Sequence, residues 1–86
     1  MLRKGTEMSK VGLVFKNTKN NICVIMKEDK HYYWILSKTR KGFSLNHYGK
    51  WWIDDCLCHC KYEVICDKYF TWQEAVSNCK EFRDEI

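Results

Sequence analysis

No stretch of this 86-residue chain approaches the roughly 20 consecutive apolar residues that a membrane-spanning helix needs. Its basic start, MLRKGTEMSK, gives way through VGLVF to the polar KNTKNN, an apolar run too short for a secretory signal. These two absences lead us to expect an intracellular, cytoplasmic protein with no membrane partner, whose six cysteines are mostly thiols and not bridges. Proline is missing altogether, and no internal repeat or low-complexity tail is present, so nothing divides the chain into domains. Glycine-rich phosphate loops, nucleophile elbows and helical histidine pairs are missing too. The sequence therefore carries no catalytic signature, and we expect a protein that is not an enzyme.

What the chain has in quantity is aromatic side chains and lysine. A domain of this length buries only about 60–65% of the surface its unfolded chain exposes. Part of its 13 aromatic residues must therefore serve a small core, where large rings offset a backbone ordering cost of roughly 1–2 kcal/mol per residue. Charge changes sign along the chain. Residues 1–53 hold eleven Lys or Arg against three acids, a net of +8, whereas residues 54–86 hold four against eight, a net of −4. Such a dipole steers a molecule toward a polyanion or an acidic protein with its basic half foremost. Twelve lysines with three arginines, one alanine and no proline are also what an A/T-rich coding sequence yields.

The pattern along the chain predicts an α+β fold that is mostly β. Residues 11–16 and 22–27 are β-branched runs separated by Asn17, Thr18, Lys19, Asn20 and Asn21, which predicts a hairpin, because asparagine tolerates turn conformations and bonds its own backbone. Residues 31–38 predict the central strand: Tyr33, Ile35 and Ser37 alternate with Tyr32, Trp34 and Leu36, so both faces are largely apolar. Weaker strands are expected over residues 43–48 and near 50–53, and a last one over 62–66, with one helical turn or a further strand within residues 53–60. The sequence Thr71-Trp-Gln-Glu74 matches a capping box, and Trp72, Ala75, Val76, Cys79, Phe82 and Ile86 follow at helical spacing, which predicts an amphipathic helix over residues 71–86. The expected architecture is five or six short antiparallel strands with this one helix, as a small antiparallel sheet or a partly open SH3-like barrel. Residues 1–10 are expected to form a loose arm and residues 11–86 a single domain.

Residues 38–52 read KTRKGFSLNHYGKWW, with four cations, no acid and five rings. Buried segments avoid unpaired lysine, and solvated loops rarely need so many aromatics, so the mixture predicts a charged, stacking-competent face. Lys38, Arg40, Lys41 and Lys50 suit phosphates. Phe43, His47, Tyr48, Trp51 and Trp52 suit bases or a planar ligand. The expected partner is nucleic acid or a nucleotide, and the expected function is a binding module for one of these or another phosphate-bearing ligand. The alternative is an intracellular protein partner, since tryptophan, tyrosine and arginine also concentrate binding energy at protein interfaces. In that case the chain would be an inhibitor or adaptor, of the kind a virus or mobile element encodes to block a host factor.

Cys56, Cys58, His59 and Cys60, with Cys66 beyond them, are the densest group of soft ligands, and a small zinc-binding domain is a lesser expectation. The C-x-C spacing lacks the usual C-x2-C knuckle, and no Gly or Pro bends the segment. Cys23 and Cys79 complete a ligand set only if the fold brings them there, so no metal or other cofactor is expected. A thiolate, base and carboxylate reading of Cys58, His59 and Asp54 or Asp55 suffers from adjacency, because a nucleophile and its base normally approach each other from different directions.

Overall fold

The computed structural model describes residues 9–83. Most of the expected N-terminal arm, and the expected helix beyond Arg83, lie outside that span. Strands β1 (Val14–Lys16), β2 (Ile22–Glu28), β3 (Tyr32–Thr39) and β4 (Gly42–Gly49) form an antiparallel meander, followed by helix α1 (Lys50–Cys58), strand β5 (Glu63–Cys66) and helices α2 (Trp72–Asn78) and α3 (Lys80–Arg83). All five strands belong to one sheet in the order β4-β3-β2-β1-β5, so the sheet is open, not a closed barrel.

Local chemistry accounts for the turns. Asn17 closes the β1–β2 hairpin by accepting from the amides of Lys19 and Asn21 at 2.9 and 3.0 Å, while Asn20 takes a positive φ of 66°. In the β2–β3 turn, Asp29 does the same for His31 and Tyr32 at 2.9 and 2.8 Å. Those two amides hold the Asp29 carboxyl below its ordinary pKa.

Chain direction puts a helix on each face of the sheet. After β4, α1 crosses one face and delivers the chain to β5 at the far edge beside β1. On that face Leu13, Phe15, Cys23, Ile25, Tyr33 and Ile35 are buried with Ile53 of α1, and Tyr62 stacks on Phe15 at 5.2 Å between centroids. Past β5 the chain moves to the opposite face, where Val14 and Val24 are buried with Tyr69, Ala75, Cys79 and Phe82. Strands β1 and β2 are therefore covered on both sides. The central strand is β2, not the expected β3, which lies one place from the edge.

Two further expectations are corrected. Residues 50–53 are the first turn of α1, not a strand: the β3–β4 ladder continues only as far as the Lys50 amide, which donates to His31 O at 2.8 Å. The C-terminal helix starts as expected, with Thr71 Oγ1 accepting from the Glu74 amide at 3.1 Å, although the Glu74 carboxylate accepts from Phe70 instead of Thr71. It is then interrupted at Cys79, whose backbone is extended at φ −78° and ψ 122°.

Burial of phenols and thiols sets the alkaline limit of the fold. The Tyr33 hydroxyl is pushed well above its ordinary pKa by burial and by donating to Asp54 at 2.8 Å. Burial also raises Tyr62, Tyr69, Cys23 and Cys79. Each group stays protonated in the folded chain at a pH where the unfolded chain has released the proton. Stability is therefore full well below the ordinary thiol pKa of about 8.5, begins to fall as the unfolded thiols ionise around it, and falls further as the unfolded phenols ionise at about 10. Urea titrations between pH 7 and 11 should show the midpoint dropping over this range, and Tyr33→Phe should flatten the upper part of the drop. A midpoint independent of pH would contradict the burial of these groups.

Candidate binding surfaces of the sheet

The period of two along β4 divides the basic-aromatic segment. Phe43, Leu45 and His47 lie opposite Lys38, Leu36 and Trp34 on the face that carries α2 and α3; Ser44, Asn46 and Tyr48 lie opposite Ser37, Ile35 and Tyr33 on the face that carries α1. Arg40 and Lys41 are exposed in the β3–β4 turn. Lys50, Trp51 and Trp52 begin α1 at the other end of β4, about 23 Å away at the rise of an extended strand. The nine expected site residues thus occupy two faces and two ends of the sheet.

On the α2–α3 face, toward the β2–β3 turn, lies a set of rings in which Tyr32 and His47 are exposed and Trp34 is half-buried. His47 stacks on Trp34 at 5.7 Å, and Tyr32 meets His47 edge-on at 5.2 Å and Trp34 at 6.2 Å. Lys27 places its ammonium over the Trp34 ring, 4.7 Å from its centroid. Further along β4, Phe43 and Leu45 are 55% and 56% exposed, with Phe43 leaning on Phe82 at 6.4 Å. Lys38 lies beside Phe43 and donates to Phe82 O at 2.8 Å, so its ammonium helps to fix α3 against the strand. Lys27, Arg40 and Lys41 supply cations around this platform. Of the nine residues, Lys38, Phe43 and His47 lie on the platform and Arg40 and Lys41 at its end. The sequence pattern did not select Tyr32, Trp34, Leu45 or Lys27, because the two-sided apolar pattern of β3 is equally that of an interior strand.

On the opposite face α1 leaves part of the sheet uncovered, forming a trough of about 290 Å³. Its floor is Phe15, Cys23, Ile35 and Ser37, and its walls include Asn17, Asn21, Asn46, Tyr48 and Tyr62. Among the described residues, Lys19 is the one charged side chain in the lining. Of the sequence candidates only Tyr48 lines it. Its lining is polar with Lys19 its one charged side chain among the described residues, in contrast to the three cations around the platform.

Trp51 and Trp52 meet edge-to-face at 5.8 Å, and Trp51 is 74% exposed. Their cationic neighbour Lys50 is engaged with Glu28 at 3.9 Å and lies over the Tyr33 ring. The tryptophan pair is a small surface separate from the platform.

The cysteines are dispersed. Cys23 is buried on the sheet face that α1 covers and Cys56 is buried on α1 itself, while Cys79 is buried and Cys66 half-buried on the other face, and Cys58 and Cys60 are exposed. Among the described residues no three His, Cys, Asp or Glu side chains are grouped to hold a metal ion. His59 Nδ1 lies 3.0 Å from the Asp55 carboxylate, one helical turn back, and both are exposed at the end of α1. No described helix is long and apolar enough to cross a membrane.

The class is thus α+β, an open five-stranded antiparallel sheet with helices on both faces and a ring-bearing surface at one edge. No family model, no curated protein and no solved structure matches the chain.

Proposed function

We propose that the chain is a binding module for single-stranded nucleic acid, with the β3–β4 platform as its docking surface. The observation that supports this reading is the interlocked Tyr32, Trp34 and His47 group beside Lys27, in which Tyr32 and His47 are exposed and Trp34 is half-buried. Rings fixed against one another lose little freedom when a base stacks on them, and every base offers a flat face. Stacking of this kind contributes about 1–3 kcal/mol per base and is tolerant of sequence. In this reading Lys27, on β2 beside the rings, and Arg40 and Lys41, in the β3–β4 turn, contact phosphates at opposite ends of the platform. No proton transfer or covalent step is needed for this role, so the protein acts by binding.

Fluorescence anisotropy of a labelled single-stranded oligonucleotide tests the proposal. Binding is expected at low salt and should weaken steeply as salt rises, since counterions displaced from the phosphates return. Trp34→Ala should weaken it roughly tenfold to a hundredfold, Lys41→Ala should reduce both affinity and salt slope, and Trp51→Ala should leave binding unchanged. Loss with Trp51→Ala but not Trp34→Ala would move the site to α1. Absence of binding at low salt would give precedence to a protein partner. The open edge of β4 favours that second reading, because an extended segment of another protein can add to it as a further strand.

A further inference from the structure

The geometry points to a homodimer in which β4 pairs antiparallel with β4 of a second copy about a twofold axis at Leu45, joining two sheets into one. Among the described residues, strand β4 is an edge without the usual protections. Over eight residues it has no proline, no Lys, Arg, Asp or Glu and no bulge, and its pairing with β3 runs without a shift from Gly42 to Gly49. The other edge, β5, has four residues and begins with Glu63.

The free side of β4 is complementary to itself. Lys50 N bonds His31 O, and antiparallel hydrogen-bonded pairs alternate, so Tyr48, Asn46, Ser44 and Gly42 direct their backbone groups to β3. The N–H and C=O groups of Phe43, Leu45 and His47 therefore point outward, as does the amide of Gly49, where the chain turns into α1 as its N-cap. Centring a twofold on Leu45 sets Phe43 opposite His47 of the second copy, Leu45 opposite Leu45, and His47 opposite Phe43. About six backbone hydrogen bonds then satisfy Phe43, Leu45 and His47 on each strand. On the platform face this places apolar or ring side chains against one another. On the other face it places Ser44 against Asn46, two hydroxyl and amide groups able to bond across the junction. Sliding one strand by a single residue would set outward groups against inward ones, and the neighbouring permitted registers, centred on Ser44 or Asn46, would draw the turn residue Lys41 or the α1 N-cap Gly49 into the ladder, so the Leu45 centre is the one that keeps the junction within residues 43–47 of β4.

Charge permits the pairing even though the chain carries a net +4. No residue from Gly42 to Gly49 is Lys, Arg, Asp or Glu, and Phe43 sits opposite the His47 ring. Near the ends, Arg40 and Lys41 of one copy come alongside Gly49, Lys50 and Trp51 of the other. Lys50 is already paired with Glu28, and the exposed Trp51 ring offers a face for a cation. The pairing runs along the strand's edge and brings Phe43, Leu45 and His47 into the junction, while Tyr32, Trp34 and Lys27 lie on the neighbouring strands outside it.

Sedimentation velocity over a concentration series, with circular dichroism to verify folding, tests the dimer. The wild-type chain should move from monomer toward twice its mass as concentration rises toward millimolar. Leu45→Lys and Leu45→Glu, both at an exposed edge position that the fold tolerates, should each lose the dimer, because like charges then face each other across the axis. An equimolar mixture of the two variants should recover it. A wild-type chain that stays monomeric throughout would overturn the proposal, as would a dimer that survives Leu45→Lys or a mixture that fails to recover.

Discussion

Gly12→Ala is expected to lower the stability of the fold by about 3–5 kcal/mol, a large part of the roughly 5–15 kcal/mol that a small domain possesses. Two costs combine. Gly12 has φ +90°, a conformation that costs a side-chain-bearing residue about 1–3 kcal/mol. A Cβ at this position would also fall inside van der Waals contact of the Tyr69 backbone, with the carbonyl carbon at 2.8 Å. That neighbour is backbone and cannot rotate aside, so either the strand entry or the loop leading to α2 must shift, at about 1–3 kcal/mol. Movement of the entry would also disturb the Gly12 amide, which donates to Ile25 O at 2.8 Å. Gly42→Ala is the internal comparison. Its φ of +121° carries the conformational cost, but nothing lies near the added methyl, so the loss should stay near about 1–3 kcal/mol. Urea denaturation of both variants provides the test, and equal losses would show that the Tyr69 backbone does not approach Gly12 closely.

Phe15→Ala should cost about 3–5 kcal/mol as well, through an emptied cavity instead of strain. The ring is 1% exposed and lies at the centre of the α1 face, where it is stacked on Tyr62 and joins β1 to the segment after α1. Loss of that aromatic pair adds to the cost of the void. Phe43→Ala, by contrast, removes a ring that is more than half exposed, and should change stability by much less while weakening oligonucleotide binding. Chemical denaturation and anisotropy measured on the same two variants separate the roles: Phe15 belongs to the core and Phe43 to the surface. A Phe43 variant as unstable as the Phe15 variant would place that ring in the interior.

Features governed by neighbouring residues were legible in the sequence. The asparagine-rich hairpin, the Thr71 cap and the alternation of Tyr33, Ile35 and Ser37 against Tyr32, Trp34 and Leu36 all rest on backbone chemistry within a few residues, and each appears in the fold. Helix α1 was harder to see because Gly49 caps it with no side-chain bond and no acid occupies its first turn. Trp51 and Trp52 there resemble strand residues as much as helical ones. The interruption at Cys79 was invisible for a different reason: Cys79 and Phe82 both remain buried across it, so the apolar spacing continues unbroken through the bend.

Position within the sheet was not local, and there the reading failed. Apolar residues on both faces of β3 suggested the middle of the sheet, but the middle belongs to β2, and the second face of β3 is half open because it carries rings at the surface. The same limit applied to residues 38–52. Composition identified a region rich in cations and rings, while the period of two separates Phe43 and His47 from Tyr48, and the turn into α1 carries Trp51 and Trp52 away. Trp34 joins the platform from a neighbouring strand, a contact that only the strand register reveals.

The most direct test of the nucleic-acid reading uses the indole N–H signals of the chain's four tryptophans in a proton–nitrogen correlation spectrum. Titration with a single-stranded oligonucleotide at low salt should shift the Trp34 signal together with amides of β3 and β4, and leave those of Trp51, Trp52 and Trp72 in place. A spectrum in which Trp34 does not move, or in which Trp51 and Trp52 move without it, would contradict the account.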